Sequence, residues 1–486
     1  MRNSIFPVVT VLGFALALFS VSFLVPLVYA FITGEPTVEA FSTGFLTTFL
    51  VGLAAHLLTR RFKRELQPRD GFLLVSAVWS LIPAFCAIPL VLYFDNLSFT
   101  DAYFEMVSGL TTTGATVLTG LDTMPASINI WRHLLSWIGG MGILVLAVAI
   151  LPLLGVGGSQ VFKAETPGPM KDSKLTPRIT ETAKSLYLVY FALSVGCAIS
   201  YKLAGMTWLD AFMHAGTTMS LSGFSSHDAS YAYFDSAAIE MVAVVFMLIA
   251  GINFAIHFMA WRGKSFRPYS MCPETKWFLI LMFVSVFFVT VFLLAHQQYT
   301  TFSEAFRFSL FNVVSVATTT GFANTDYAQW PMFAPLTMIF LSIFATAAGS
   351  TGGGIKMLRA VILFQHAVGE LSRVLHPRAV NPVRIRGAAV SAQVIFGVLA
   401  FMLMYGMSII SITMIQMFTG LEPIAALTGT IAMINCLGPA LGELGPSSNY
   451  ASLGDFQTWV YSFAMLLGRL EMFTILVLFT PAFWRK

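Results

Sequence analysis

The sequence predicts an all-α polytopic membrane protein, with two N-terminal helices followed by four pseudo-fourfold helix–pore-loop–helix repeats around one central pore. Three observations carry that expectation. Of the 486 residues 57% are hydrophobic and only 10% charged, against about 25% charged in a soluble chain, so polar surface to face water on all sides is missing. Ten apolar stretches approach or exceed the roughly 20 residues that cross a bilayer. One short loop with a tight glycine turn recurs four times in the same topological slot. The composition excludes a soluble enzyme and a disordered or collagenous chain.

The apolar stretches are 5–32, 40–59, 71–94, 129–152, 183–204, 236–261, 276–297, 330–368, 387–418 and 456–484. The first exceeds a signal-peptide core and has only Arg2 ahead of it, which marks a retained span. The stretch 330–368 is too long for one span and is interrupted by Gly349, Ser350, Thr351, Gly352, Gly353 and Gly354.

Orientation follows from the basic residues. With the N-terminus in the cytoplasm and the spans alternating, 21 of the 27 Lys and Arg fall in cytoplasmic segments. Both termini are then cytoplasmic. Of the 23 acidic residues, 15 fall outside or near the outer boundary. Those loops either simply lack basic residues or form an electronegative mouth that concentrates cations.

The net charge of +4 gives no support for nucleic-acid binding. Cys86, Cys197, Cys272 and Cys436 form no CxxC pair and no metal-ligand spacing. His133, His214 and His257 read as hydrogen-bonded residues near the membrane interfaces, and Asn253 and Asn312 as links between helices. The 24 methionines and 45 phenylalanines read as lipid-facing or core residues. The cytoplasmic segment 162–182, with Pro167, Pro169 and Pro177, is either a docking surface for a regulator or a solvated loop.

Each outward loop runs from an acidic residue through an apolar run to a glycine turn. The acids are Asp101, Asp210, Glu304 and Glu422, and the separations to Gly114, Gly223, Gly321 and Gly438 are 13, 13, 17 and 16 residues, so two loops carry about one extra helical turn. Such a loop is too apolar for an external connection and too short to span. Non-helical backbone at membrane depth is tolerated only inside protein or against a water-filled cavity. Four copies therefore imply a pore with one re-entrant loop from each quarter. A dehydrated cation needs several oxygens at once, and backbone carbonyls supply them. Glycine permits the backbone angles that turn them inward. The acids read first as helix-start residues. The repeats divide the chain into 1–67, 68–178, 179–270, 271–380 and 381–486.

At these residues the chain resembles the Trk/Ktr superfamily of potassium uptake proteins, most closely its TrkH-type pore subunits. The likeness runs over nearly the whole chain and includes Trp137–Gly142, Gly251–Phe254, Gly349–Lys356 and the two leading helices. The resemblance implies that the potassium filter is Thr112, Thr113 and Gly114; Leu221, Ser222 and Gly223; Thr319, Thr320 and Gly321; and Cys436, Leu437 and Gly438. Glycine at all four positions favours potassium over sodium. Loop four departs from the pattern, since Leu437 has no hydroxyl and Pro439 no N–H. The resemblance further implies a bacterial inner-membrane homodimer and a cytoplasmic nucleotide-binding, TrkA-like regulatory ring.

The segment Gly349–Gly354 reads as an intramembrane gate, because Gly-rich backbone rearranges at little cost. A helix contact of small residues is a rival. A phosphate loop fails for want of the GK[ST] ending. Arg469 lies near the centre of the last stretch, where a charge costs about 3 kcal/mol. It is expected to face the cavity beneath the filter as an electrostatic barrier, with an ion pair to another helix as the alternative. Glu471, roughly 200° further round a continuous helix, is expected on a different face. Potassium uptake is the function favoured, with a symporter coupled to protons or sodium as the alternative. An enzyme lacks a nucleophile–base pair or metal constellation. An organic-substrate transporter would call for inverted repeats.

Overall fold

In a computed structural model the chain is described at residues 2–62, 66–145, 179–378, 381–385 and 388–485, and nearly all of it is helical. The segment 162–182 therefore lies almost entirely outside the described residues. Strand is confined to one antiparallel pair, Arg384–Ile385 with Ala388–Ala389, among the described residues. Six helices among them are long and apolar enough to cross a membrane, for example Ile5–Thr33, Pro273–Ala295 and Ala392–Phe418. Their outer faces carry exposed Leu203, Phe283 and Phe418, as a lipid-facing surface requires.

The N-terminal hairpin packs through small residues. A Cβ added to Gly13 would strike the Gly52 carbonyl, and one on Gly52 the backbone of Ala17 and Gly13, so the two helices touch backbone to backbone. The Glu35 carboxylate then accepts from the N–H groups of Ala126 and Ser127, joining the hairpin to the first repeat.

Two stretches read as single spans are broken. The stretch 236–261 becomes Ala237–Ala250 and Phe254–Gly263, bent by 93°. Asn253 accepts from Ala255 N–H and starts the second piece. The last stretch becomes Asp455–Arg469 and Phe473–Phe479, bent by 111°. Glu471 and Met472 sit between them at φ +56° and +49°, which ends a helix. The continuous-helix geometry expected for Arg469 and Glu471 therefore does not hold. The stretch 330–368 is broken where expected, into Phe333–Ser342 and Met357–Leu375 around the glycine segment.

Four short helices lie among the long ones: Phe99–Leu110, Trp208–Ser220, Phe302–Ala317 and Pro423–Asn435. Ser98, Thr207 and Thr301 cap the first three, each accepting from the N–H of the acid three residues on, Asp101, Asp210 or Glu304. In the fourth, Glu422 is itself the cap position and Pro423 the first helical residue. From cap to glycine the four loops thus measure 16, 16, 20 and 16 residues. Only loop three carries an extra turn; the surplus read in loop four came from counting its acid as the third helical residue.

Candidate ion pathway

Each short helix ends in the same way. Thr112, Leu221, Thr319 and Cys436 adopt left-handed φ of +57°, +53°, +61° and +54°. Their N–H groups bond three residues back, and those of Thr113, Ser222, Thr320 and Leu437 bond five residues back, to Ser108, Thr217, Ser315 and Ala432. This is the Schellman ending, built here on residues other than glycine. It turns the middle N–H of every triplet back onto its own helix. Sequence reasoning assigned the unusual backbone to the glycines alone and missed this first position; no side-chain type marks it, since Thr, Leu and Cys all occupy it.

The four glycines that follow close a ring. A Cβ on Gly114 would collide with the backbone of Gly223, one on Gly223 with Thr320 and Gly321, one on Gly321 with Leu437, and one on Gly438 with Thr113 and Gly114. Each loop therefore meets the next at backbone distance, and the fourth meets the first. Outside the ring a cavity of about 70 Å³ is walled by all four loops, with His227 and Asp228 at its rim. Thr113, Thr320 and Leu437 join the four glycines in these contacts, while Thr112, Leu221, Ser222, Thr319 and Cys436 stand one or two residues before the glycines on the same loops.

The side chains differ among the quarters. The Thr111 and Thr113 hydroxyls are 2.8 Å apart, as are those of Thr318 and Thr320, while Ser222 donates to Ser136. In quarter four Tyr450 donates its hydroxyl to the Gly438 carbonyl at 2.7 Å. Quarter four thus differs in a way not read from Leu437 or Pro439: its glycine carbonyl is already engaged by a side chain.

The segment Gly349–Gly354 lies against the inner ends of three short helices. Thr351 donates to the Met219 carbonyl at 3.0 Å, and Gly353 N–H donates to the Thr319 hydroxyl at 2.8 Å. A Cβ on Gly353 would strike the Asn435 carbonyl, so this backbone approach admits only glycine. Gly349 accepts from Phe254 N–H and packs on Asn253, while Ser350 donates to Ala347. Gly352 lies against Thr318 and Thr346 and accepts from Lys356, and Gly354 packs on Ser342 and Ile343. Arg469, 3% exposed, donates to the Thr351 carbonyl at 2.9 Å. Glu471 instead pairs with Arg359 at 2.7 Å, on the helix that follows the glycine segment.

The histidines are hydrogen-bonded as expected. His133 Nδ1 donates to Asn129, and His214 joins the Asp210 carbonyl and the Ser225 hydroxyl. His257 contacts Tyr269 and Ile249. Asn312 links its helix to the Asn324 side chain. At the outer rim His227, unremarked in the sequence, sits between Asp122 at 2.5 Å and Asp210 at 3.3 Å and stacks on Tyr233.

Comparison with known proteins gives one family. A family model described as TrkH, cation transport protein, matches residues 37–486. The chain is 42% identical to the Trk system potassium uptake protein TrkH of Vibrio parahaemolyticus over 482 residues, 99% of each chain. It is 41% identical to the protein of that name from Escherichia coli K12, over 98% of each. To the Escherichia coli Trk system potassium uptake protein TrkG it is 36% identical, over 98% of this chain and 97% of the other. The crystal structure of the potassium transporter TrkH from Vibrio parahaemolyticus superposes with a TM-score of 0.91 at 40% identity, covering all of both chains.

Proposed function

This chain belongs to the TrkH family of cation transport proteins, and on that premise we propose that it takes up potassium along the axis its four loops surround. The closed ring of Gly114, Gly223, Gly321 and Gly438 carries the reading. Potassium enters from the outer cavity and exchanges its water for backbone oxygens of the four triplets. The first and middle N–H groups of each triplet are held by their own helices, so those two donors do not compete with the ion for oxygen. Each short helix also directs its negative C-terminal end toward the ion. Tyr450 draws on the Gly438 oxygen and weakens the field of quarter four.

Inward passage requires Gly349–Gly354 to leave the inner ends of the short helices. The Thr351 and Gly353 hydrogen bonds and the Arg469 contact with Thr351 hold this gate shut, and Arg469 adds a positive charge beside the path. Four pore units, 68–178, 179–270, 271–380 and 381–486, follow the leading hairpin 1–67. The excess of basic residues on one side supports cytoplasmic termini in a bacterial inner membrane. The Trk-system names of the relatives favour a partnered assembly, read here as a homodimer on a cytoplasmic nucleotide-binding, TrkA-like ring that moves the gate.

Purified chain in liposomes, with potassium as the only alkali cation and an imposed inside-negative potential, tests the function. Potassium uptake is expected, and it excludes obligatory sodium coupling. Acidification of the lumen in proportion to potassium entry would instead mark proton symport. No uptake, from the wild type or from a chain lacking Gly352–Gly354, would refute the reading.

A further inference from the structure

Nine residues before each ring glycine the short helices carry Glu105, His214, Asn312 and Gly429. The first three reach across to the strand that leaves the ring. Glu105 accepts from the Thr116 hydroxyl and from Val117 N–H at 2.9 Å. His214 Nε2 meets the Ser225 hydroxyl at 3.0 Å, and Asn312 donates to Asn324 at 2.6 Å. In quarter four there is no side chain at that position. The Tyr461 hydroxyl fills its place, and the neighbouring Thr428 hydroxyl accepts from Leu441 N–H. Each quarter thus braces its outer filter strand on its own short helix.

Only the first brace carries charge. Glu105 is fully buried and pairs with fully buried Arg132 at 2.7 Å. Arg132 in turn donates to Asn129, to Thr116 and to the Ser225 carbonyl of loop two, and lies over the Phe224 ring at 4.2 Å. One ion pair therefore holds the exit strands of two adjacent quarters. A buried pair of this kind adds little net stability compared with apolar packing, whereas removing one partner leaves the other charge uncompensated. Its geometry serves rigidity better than affinity, because each bond ends on a filter strand or on the residue that aims the guanidinium.

We propose that Glu105 and Arg132 are specificity-determining positioning residues, which keep the oxygen ring too wide for sodium by bracing the strands after Gly114 and Gly223. The inference rests on potassium passing the ring. A sodium ion needs its oxygens closer than potassium does, so a ring that cannot contract leaves sodium underdressed. Releasing the brace lets the Thr116 and Ser225 segments follow the smaller ion inward.

The test compares potassium and sodium fluxes of the full chain in the same liposomes. Wild-type potassium uptake reads the transport function itself, and the ratio of the two fluxes, relative to wild type, reads this inference. Glu105→Gln keeps the size and the acceptor for Val117 but removes the negative charge opposite Arg132. Thr116→Val removes the hydroxyl that Glu105 and Arg132 both engage and leaves the ion pair whole. Glu105→Gln is expected to lower the potassium-to-sodium ratio about tenfold, the scale of a charged hydrogen bond, and Thr116→Val about threefold. Where Glu105→Gln fails to assemble, Thr116→Val decides. A brace that only supports folding would reduce the amount of inserted protein and leave the ratio of what remains unaltered. Inserted variants with wild-type ratios overturn the proposal, even while the wild type transports potassium.

Discussion

Arg469 and Thr351, 118 residues apart, are joined by a hydrogen bond of 2.9 Å from the guanidinium Nη1 to the carbonyl oxygen. The contact ties the end of helix Asp455–Arg469 to the centre of the glycine segment. Two residues on, Glu471 binds Arg359 on the far side of that segment. The segment and the break in the last span are therefore clamped together at two points and should move as a unit.

Replacing Arg469 with alanine removes a clamp and a buried charge at once. Potassium flux in liposomes should rise about tenfold, the effect of lowering a barrier by ~1.4 kcal/mol. An unchanged flux would remove Arg469 from the gate.

Gly353→Ala places a methyl group against the Asn435 carbonyl. Overpacking of this kind costs about 1–3 kcal/mol, and the segment can relieve it only by withdrawing from the ring. The variant should leak potassium, as should deletion of Gly352–Gly354. Reduced flux with normal membrane insertion would count against a gate at this position.

How far these features were legible in the sequence depends on the range of the interaction that makes them. The hydrophobic runs and the fourfold glycine turn are local patterns, and they led to the helical architecture and to the residues that now form the ring. The breaks at Gly251–Asn253 and Leu470–Met472 were not legible, because neither contains proline and Leu470–Met472 contains no glycine. Both breaks lie against the glycine segment, where Phe254 N–H donates to Gly349 and Arg469 to Thr351, contacts that join residues far apart in the chain. Arg469 was expected to face the cavity beneath the filter, and its reach to the Thr351 carbonyl depends on a bend that a helical wheel does not contain. The Glu105–Arg132 brace escaped notice because its two charges lie 27 residues apart in separate helices.

The left-handed quartet makes a stability prediction. Cys436 holds φ +54° and is fully buried, so the added carbon of valine would overpack this helix end. Cys436→Val should lower thermal stability by about 1–2 kcal/mol, measured by melting in detergent. An unchanged melting temperature would mean that the helix end relaxes freely.

His227 supplies a pH dependence outside the membrane-spanning segments. Burial opposes its charged form, but the Asp210 and Asp122 carboxylates outweigh burial and hold its pKa above the ordinary 6.5. The stabilisation is thus complete below that value and is lost as pH rises through the raised folded-state pKa. Burial would raise the Asp210 carboxyl, yet hydrogen bonds from His227, Thr207 and Ser226 and the charge of His214 hold it below the ordinary 3.8. Its contribution is therefore present above 3.8 and fails only as pH falls through the depressed value. The melting temperature of wild type should exceed that of His227→Gln at about pH 6, with the gap closing by about pH 9. A gap independent of pH would show that the ring acts by packing on Tyr233 alone.

The central claim is that an unhydrated potassium ion sits on the axis enclosed by Gly114, Gly223, Gly321 and Gly438. Thallium(I), close to potassium in size and a strong anomalous scatterer, can be soaked into crystals of the full chain and located by its anomalous signal. A peak on that axis, level with the triplet backbones, is the result expected. Thallium bound elsewhere, with that axis bare, would contradict the account.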